Sequence, residues 1–305
     1  MCLLPDILPA LLAVLLWAVS APVVNIGLGR LRQAPHDKKF LILIALTTCL
    51  SAGFTVCWAL SGFVNPLGAW SPNVALMGLL IFPIGTGLYY LCSLAYGDRA
   101  EVASQFANVK PAVSIMAGVL LFREPFGLHE AVVSAIIGLG IVVILSGAFH
   151  KGRQITGVML GLALALAWAG GEILARSVSH NAASIHITLG ALFSALVITA
   201  MSTLVYAVVQ GKRAKLNRLK YRYFWPFLVH GVLSFGFAYM LFFESIARIG
   251  LSQTILLTVF WPMLVLVLNL IISRVKRKPF RVPANVLTAS VLFTLASLIH
   301  ISWPV

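Results

Sequence analysis

The 305-residue sequence is 60% hydrophobic and only 10% charged, with a mean hydropathy of +1.00. So few charges cannot clothe the surface of a soluble domain, which leaves a polytopic membrane protein with no room for a soluble domain. The formal net charge of +14 does not imply a nucleic-acid partner, because the basic residues lie in short loops between apolar runs, where cytoplasmic anchors are found.

Taken in chain order, ten apolar runs predict spans at roughly 7–29, 40–62, 74–96, 101–121, 130–149, 156–176, 184–209, 223–245, 251–272 and 284–303. Helices are the default for runs this long, since barrel strands need only about half the length. The fold class expected is an all-α polytopic membrane protein. The run Leu11–Leu28 has no charged leader before it and reads as a first span rather than a cleaved signal. Span one carries Trp17 in "LLWAVS". Span three carries Gly85, Gly87, Tyr89 and Tyr90. Cys2, Cys49, Cys57 and Cys92 occur singly and suggest neither a disulfide framework nor a metal cluster.

Span four contains "SQFANVKPAVSIM", which sets Asn108, Lys110 and Pro111 in a segment otherwise suited to lipid. An ionised side chain at bilayer depth costs at least a few kcal/mol, so it normally faces a cavity or a partner. Lys110 is nine residues from Glu101 and fourteen from Glu124, too far to snorkel easily from an unbroken helix. Pro111 lacks an N–H and predicts a break in the helix. Three roles for Lys110 stay open: binding an anionic group of a substrate, pairing with Glu172 or Glu244, or a neutral, locally hydrated amine. Span six carries Trp168 and Glu172, and Arg176 lies at i,i+4 from Glu172, a spacing suited to an ion pair. Glu244 and Arg248 repeat that spacing at the end of span eight, which also holds Tyr239. Span nine holds Trp261. Aromatic residues at these positions are candidates to line a cavity and stack on an amphipathic ligand, and Gly85, Gly87 and Gly97 to permit close helix approach.

Trp17 and Trp168, Gly85 and Gly236, and Pro111 and Pro262 all stand 151 residues apart. This constant offset predicts a duplication, with residues 1–150 as one five-helix repeat and 151–305 as the other. An odd number of spans per half inserts the second repeat upside down, the architecture that supports alternating access around a midplane site. Odd-numbered loops hold 18 of the 22 Lys and Arg residues, even-numbered loops three, and Lys110 is the remainder. The positive-inside rule therefore places odd loops in the cytoplasm and both termini outside. Enzyme signatures are missing: no Walker or dinucleotide loop occurs, and the seven histidines have no HExxH-like spacing. No cofactor, metal or catalytic group is expected.

The runs "LLWAVSAP", "FANVKPAVSIMAGVLLFREPFGLHEAVVSAIIGLGIVVILSG" and "LSQTILLTVFWPMLVLVLNLII" resemble ten-span members of the drug/metabolite transporter superfamily, EamA-type branch. The matching positions are Pro111 in span four, Glu124 at its end, and Gly138, Gly140 and Gly147 in span five. The chain departs from the pattern in the basic "RVKRKPF" after span nine, and in a charge distribution opposite to the family's common termini-inside arrangement.

The resemblance implies a cavity among spans one, three, four, six, eight and nine. It also implies secondary transport of a small metabolite, with amino-acid export across a bacterial inner membrane as the first expectation. "VFWP" resembles an aromatic-amino-acid exporter subgroup, but the first-half counterpart reads "NVKP", which keeps uptake or exchange of organic anions or phosphorylated metabolites open. An intramembrane enzyme or a structural membrane protein is the remoter alternative. The expected partners are a small-molecule substrate and the lipid bilayer, with a proton or counter-substrate as the open coupling partner. Oligomeric state is not legible in the sequence.

Overall fold

The computed structural model describes residues 4–34, 37–95, 107, 109–149, 155–210, 223–275, 277 and 282–302. Among them are nine helices long and apolar enough to cross a membrane, and a shorter apolar helix at Lys110–Phe122. In chain order the elements are α1 (Leu4–Gln33), α2 (Lys38–Leu60), α3 (Pro72–Leu79), a first π segment (Leu80–Thr86) and α4 (Gly87–Ala95). There follow α5 (Lys110–Phe122), α6 (Leu128–Phe149), α7 (Ile155–Val178), α8 (Ser184–Gln210), α9 (Trp225–His230) and a second π segment (Gly231–Ala238). The last are α10 (Tyr239–Ile249), α11 (Leu251–Thr258), α12 (Trp261–Val275) and α13 (Ala284–Ser302).

The apolar runs become helices because a bilayer offers the backbone no hydrogen-bond partners, so each segment must satisfy its own. Their ends are fixed by polar side chains. The Asp37 carboxylate caps α2 by accepting from the backbone N–H groups of Lys39 and Phe40. Lys38 Nζ donates to the carbonyls of Leu31, Arg32 and Ala34 at 2.6–2.8 Å, closing the end of α1. The Tyr206 hydroxyl, 2.8 Å from Asp37 Oδ2, holds the Asp37 carboxyl below its usual pKa. Outward-facing residues such as Leu120 (72% exposed) and Val209 (76%) are apolar, as lipid contact requires.

Three predicted spans differ from plain helices. The third and eighth each contain a π segment, beginning at Leu80 and Gly231, again 151 residues apart. Hydropathy is blind to such a change, because it alters backbone register and not composition. The ninth divides into α11 and α12 around Val259 and Phe260. Pro111 and Pro262 do not kink helix interiors. Each is the second residue of its helix, α5 and α12, where the missing N–H has no intrahelical partner to lose. For the fourth predicted span, residues 101–106 and 108 lie outside the described residues.

Helix partners exchange between the halves under the same offset. Helix α1 packs on α9, the second π segment, α10 and α12, while α7 packs on α3, the first π segment, α4 and α5. Helix α2 packs on α8, and α6 on α13. The result brings α1 and α7, with Trp17 and Trp168, to the centre.

Candidate functional site

Lys110 opens α5 and Glu172 lies six residues before the end of α7, so the α5–α7 contact carries both toward the middle of the bundle. Lys110 Nζ donates to Glu172 Oε1. Their side chains are 11% and 3% exposed. The second Glu172 oxygen accepts from the Ser114 hydroxyl at 2.8 Å, so the carboxylate is held on both sides. The ammonium also lies 5.5 Å from the ring centre of Phe242, 5.7 Å from Trp168 and 6.0 Å from Trp17. Aromatic faces replace part of the hydration that burial removes.

This fixes which expected pairs form. Glu172 does not pair with Arg176, although the two are one turn apart. Arg176 Nε instead lies 3.0 Å from Glu124 Oε1, and its Nη1 donates to the Ile246 carbonyl. Glu124 follows Arg123, which adopts a left-handed conformation (φ 54°) and ends α5. Its two carboxylate oxygens accept from the backbone N–H groups of Leu251 and Ser252 at 2.7 Å, capping α11. Gly250 (φ 88°) supplies the turn before that helix, and a Cβ there would fall 2.7 Å from Glu124. Glu244 is taken by Arg248 at 2.7 Å and by the Ser184 hydroxyl at 2.8 Å, so it is not the partner of Lys110.

Lys110 borders a part-open cavity with about 550 Å³ of empty space, its mouth included. Trp17, Ser20 and Ala21 line it from α1, Thr86 and Tyr89 from the third span, and Trp168 from α7. His230, Ser234, Phe235 and Tyr239 come from the eighth span, Thr258 and Trp261 from the ninth. Most of these residues lie between the middle of their helices and the ends that lead into odd-numbered loops. The Glu124–Arg176 cluster lies at the opposite ends, where the even-numbered loops run.

The first π segment shapes one wall. Ile81 offers its carbonyl to Trp168 Nε1 at 3.0 Å and to the Thr86 hydroxyl at 3.4 Å. Gly85 makes room for that indole, since a Cβ there would lie 2.3 Å from it. Trp17 stands edge-on to Tyr239 at 5.2 Å, and Trp168 stacks on Tyr89 at 5.9 Å.

The sequence candidates thus divide. Trp17, Tyr89, Lys110, Trp168, Tyr239 and Trp261 share the cavity, and Glu172 meets it through Lys110. Tyr90 does not line it. Its hydroxyl lies 3.2 Å from Cys49 Sγ in the fully buried core, because adjacent helix residues face different ways. Pro111 is buried at the start of α5 and acts on the backbone. Asn108 and Gly97 lie outside the described residues. Ser20, Thr86, His230, Ser234 and Thr258 escaped the sequence reading. His230 alone carried a signal, as an ionisable residue inside a predicted span.

A solved structure described only as "Crystal structure of protein" matches this fold with a TM-score of 0.68 at 16% identity, covering 97% of this chain and 96% of that one. Two curated relatives are each called "Probable amino-acid metabolite efflux pump". The one from Salmonella typhimurium (strain LT2) is 25% identical over 175 residues, covering 56% of this chain and 54% of its own. The one from Escherichia coli (strain K12) is 26% identical with the same coverage. The matched part of this chain spans about half the length of these relatives. The model of the EamA-like transporter family matches twice, over residues 4–146 and 155–299. With the two matches together covering nearly the whole sequence, the chain belongs to the EamA-like transporter family.

Proposed function

We propose that this protein is a secondary transporter exporting a small zwitterionic metabolite, an amino acid or close relative, by alternating access. The carrying observation is the Lys110–Glu172 pair at the border of an aromatic cavity. The pair presents one charge of each sign to a ligand: the ammonium donates to a carboxylate and the carboxylate accepts from an amine. A zwitterion exchanges both halves of the pair at once and leaves neither charge buried alone. Organic anions and phosphorylated metabolites fit less well, since the Lys110 ammonium is already neutralised by Glu172. The amino-acid efflux named for the two relatives agrees with this choice.

The two family matches, the shared 151-residue offset of the π segments and the exchanged helix partners support two five-helix repeats of opposite orientation. The basic odd-numbered loops support an orientation in a cell inner membrane with those loops in the cytoplasm and the termini outside, which would turn toward the cytoplasm the half of the bundle that holds most of the cavity lining. Glu124 and Arg176 then close the outer face. Proteoliposomes loaded with an amino-acid panel test the function: wild-type protein releases at least one member, and Lys110→Met releases none. Transport preserved in a well-folded K110M protein overturns the role of the pair. For the orientation, Phe63→Cys is expected to label with an impermeant maleimide on intact cells and Gln33→Cys only after permeabilisation. The reverse pattern restores the family's termini-inside arrangement.

A further inference from the structure

The cavity has a second polar end that the ion pair does not use. His230 closes α9, immediately before the second π segment, and lines the cavity while being only 6% exposed. Its Nδ1 is buried without a hydrogen-bond partner, and no described residue hydrogen-bonds its ring. The neighbours are rings: Phe235 edge-on at 5.4 Å and Tyr90 tilted at 6.2 Å. A neutral imidazole has one donor and one acceptor to satisfy. An unpaired buried polar group is costly unless something completes it.

His230 also stands apart from Lys110. It precedes Tyr239 by nine residues, with the whole second π segment between them. Between Tyr239 and Lys110 stand Trp17, whose ring centre is 5.2 Å from the tyrosine ring and 6.0 Å from the ammonium, and Phe242, at 6.3 Å and 5.5 Å. One end of the cavity is therefore charged, the middle is aromatic, and the other end holds an unused imidazole.

We infer that His230 is a specificity-determining residue, hydrogen-bonding a polar group on the end of the substrate remote from Lys110. Resting on the transport reading above, this narrows the substrate class to zwitterions whose bulky side chain ends in a donor or acceptor, as a phenol does. A ligand of the same shape ending in hydrocarbon would leave the imidazole unpaired and be disfavoured.

Tyrosine and phenylalanine differ by that one hydroxyl and serve as probes in proteoliposome competition assays. Wild-type protein is expected to prefer tyrosine by about tenfold, the scale of one hydrogen bond completed in a buried site. His230→Phe is expected to bring the two within about twofold of each other while phenylalanine is still carried. His230→Asn, which keeps a polar atom near the position of Nδ1, retains the tyrosine preference. Equal handling of both probes by the wild type overturns the inference, as does an unchanged preference in H230F. Should H230F lose phenylalanine transport as well, loss of preference in H230N overturns it and retention supports it. If wild-type protein carries neither probe nor any other amino acid, the transport reading itself falls, and this inference with it.

Discussion

Lys110 shows how one residue at bilayer depth organises its surroundings. It is tolerated because Glu172, Ser114 and three aromatic rings replace water. Removing one partner of a buried pair strands the other, at a cost of about 3 kcal/mol. Lys110→Met and Glu172→Gln should each lower unfolding stability in micelles by about that amount. The double variant should recover most of the loss, since neither charge is then left alone, while transport stays absent in all three. A double variant that is additive in stability would mean that the two side chains are not coupled. The sequence revealed Lys110 because an ionisable group in a lipid-suited run stands out, and Trp17 and Trp168 because a constant offset joins them. It could not choose among three carboxylates for two cations. That choice depends on where Arg123 turns the chain, which sends Glu124 to Arg176 and leaves Glu172 for Lys110.

At the scale of elements, the two π segments and the two proline-started helices mark where the spans depart from ideal geometry. Composition predicted the spans and placed nearly all of them. It could not show that span nine divides, or that spans three and eight widen, because backbone register leaves no trace in hydropathy. The glycines there illustrate the limit. Gly85 and Gly87 look equivalent in sequence, yet a Cβ at Gly85 meets the Trp168 indole at 2.3 Å and one at Gly87 meets only Leu46 at an ordinary 3.5 Å. Gly85→Ala should therefore displace the indole from the Ile81 carbonyl, shift tryptophan fluorescence and cut transport at least tenfold, with a stability loss in the 1–3 kcal/mol range of overpacking. Gly87→Ala should leave all three measurements nearly unchanged. In α6 the same contrast separates Gly140, where a Cβ would strike Phe293 of α13, from Gly138, which faces open space.

At the scale of the whole molecule, the exchange of helix partners joins the halves across a shared centre rather than side by side. Glu124 of the first half, capping α11 of the second, ties the halves together on the even-loop face. Alternating access requires that tie to loosen or travel with both helices while the cavity closes on the other side. The ion pair adds an electrical consequence. Lys110 and Glu172 sum to zero charge, and a zwitterion bound to both would add none. A loaded carrier and an empty one then feel the membrane voltage alike, although a single uncompensated charge would respond by about 2.3 kcal/mol per 100 mV. Flux in vesicles clamped at either sign of potential with potassium and valinomycin should be the same. A rate that follows the voltage would reveal a co-transported ion, with Glu172 as the first group to test. Electrical silence would leave the solute's own concentration gradient as the driving force, making the protein a relief valve that opens to surplus.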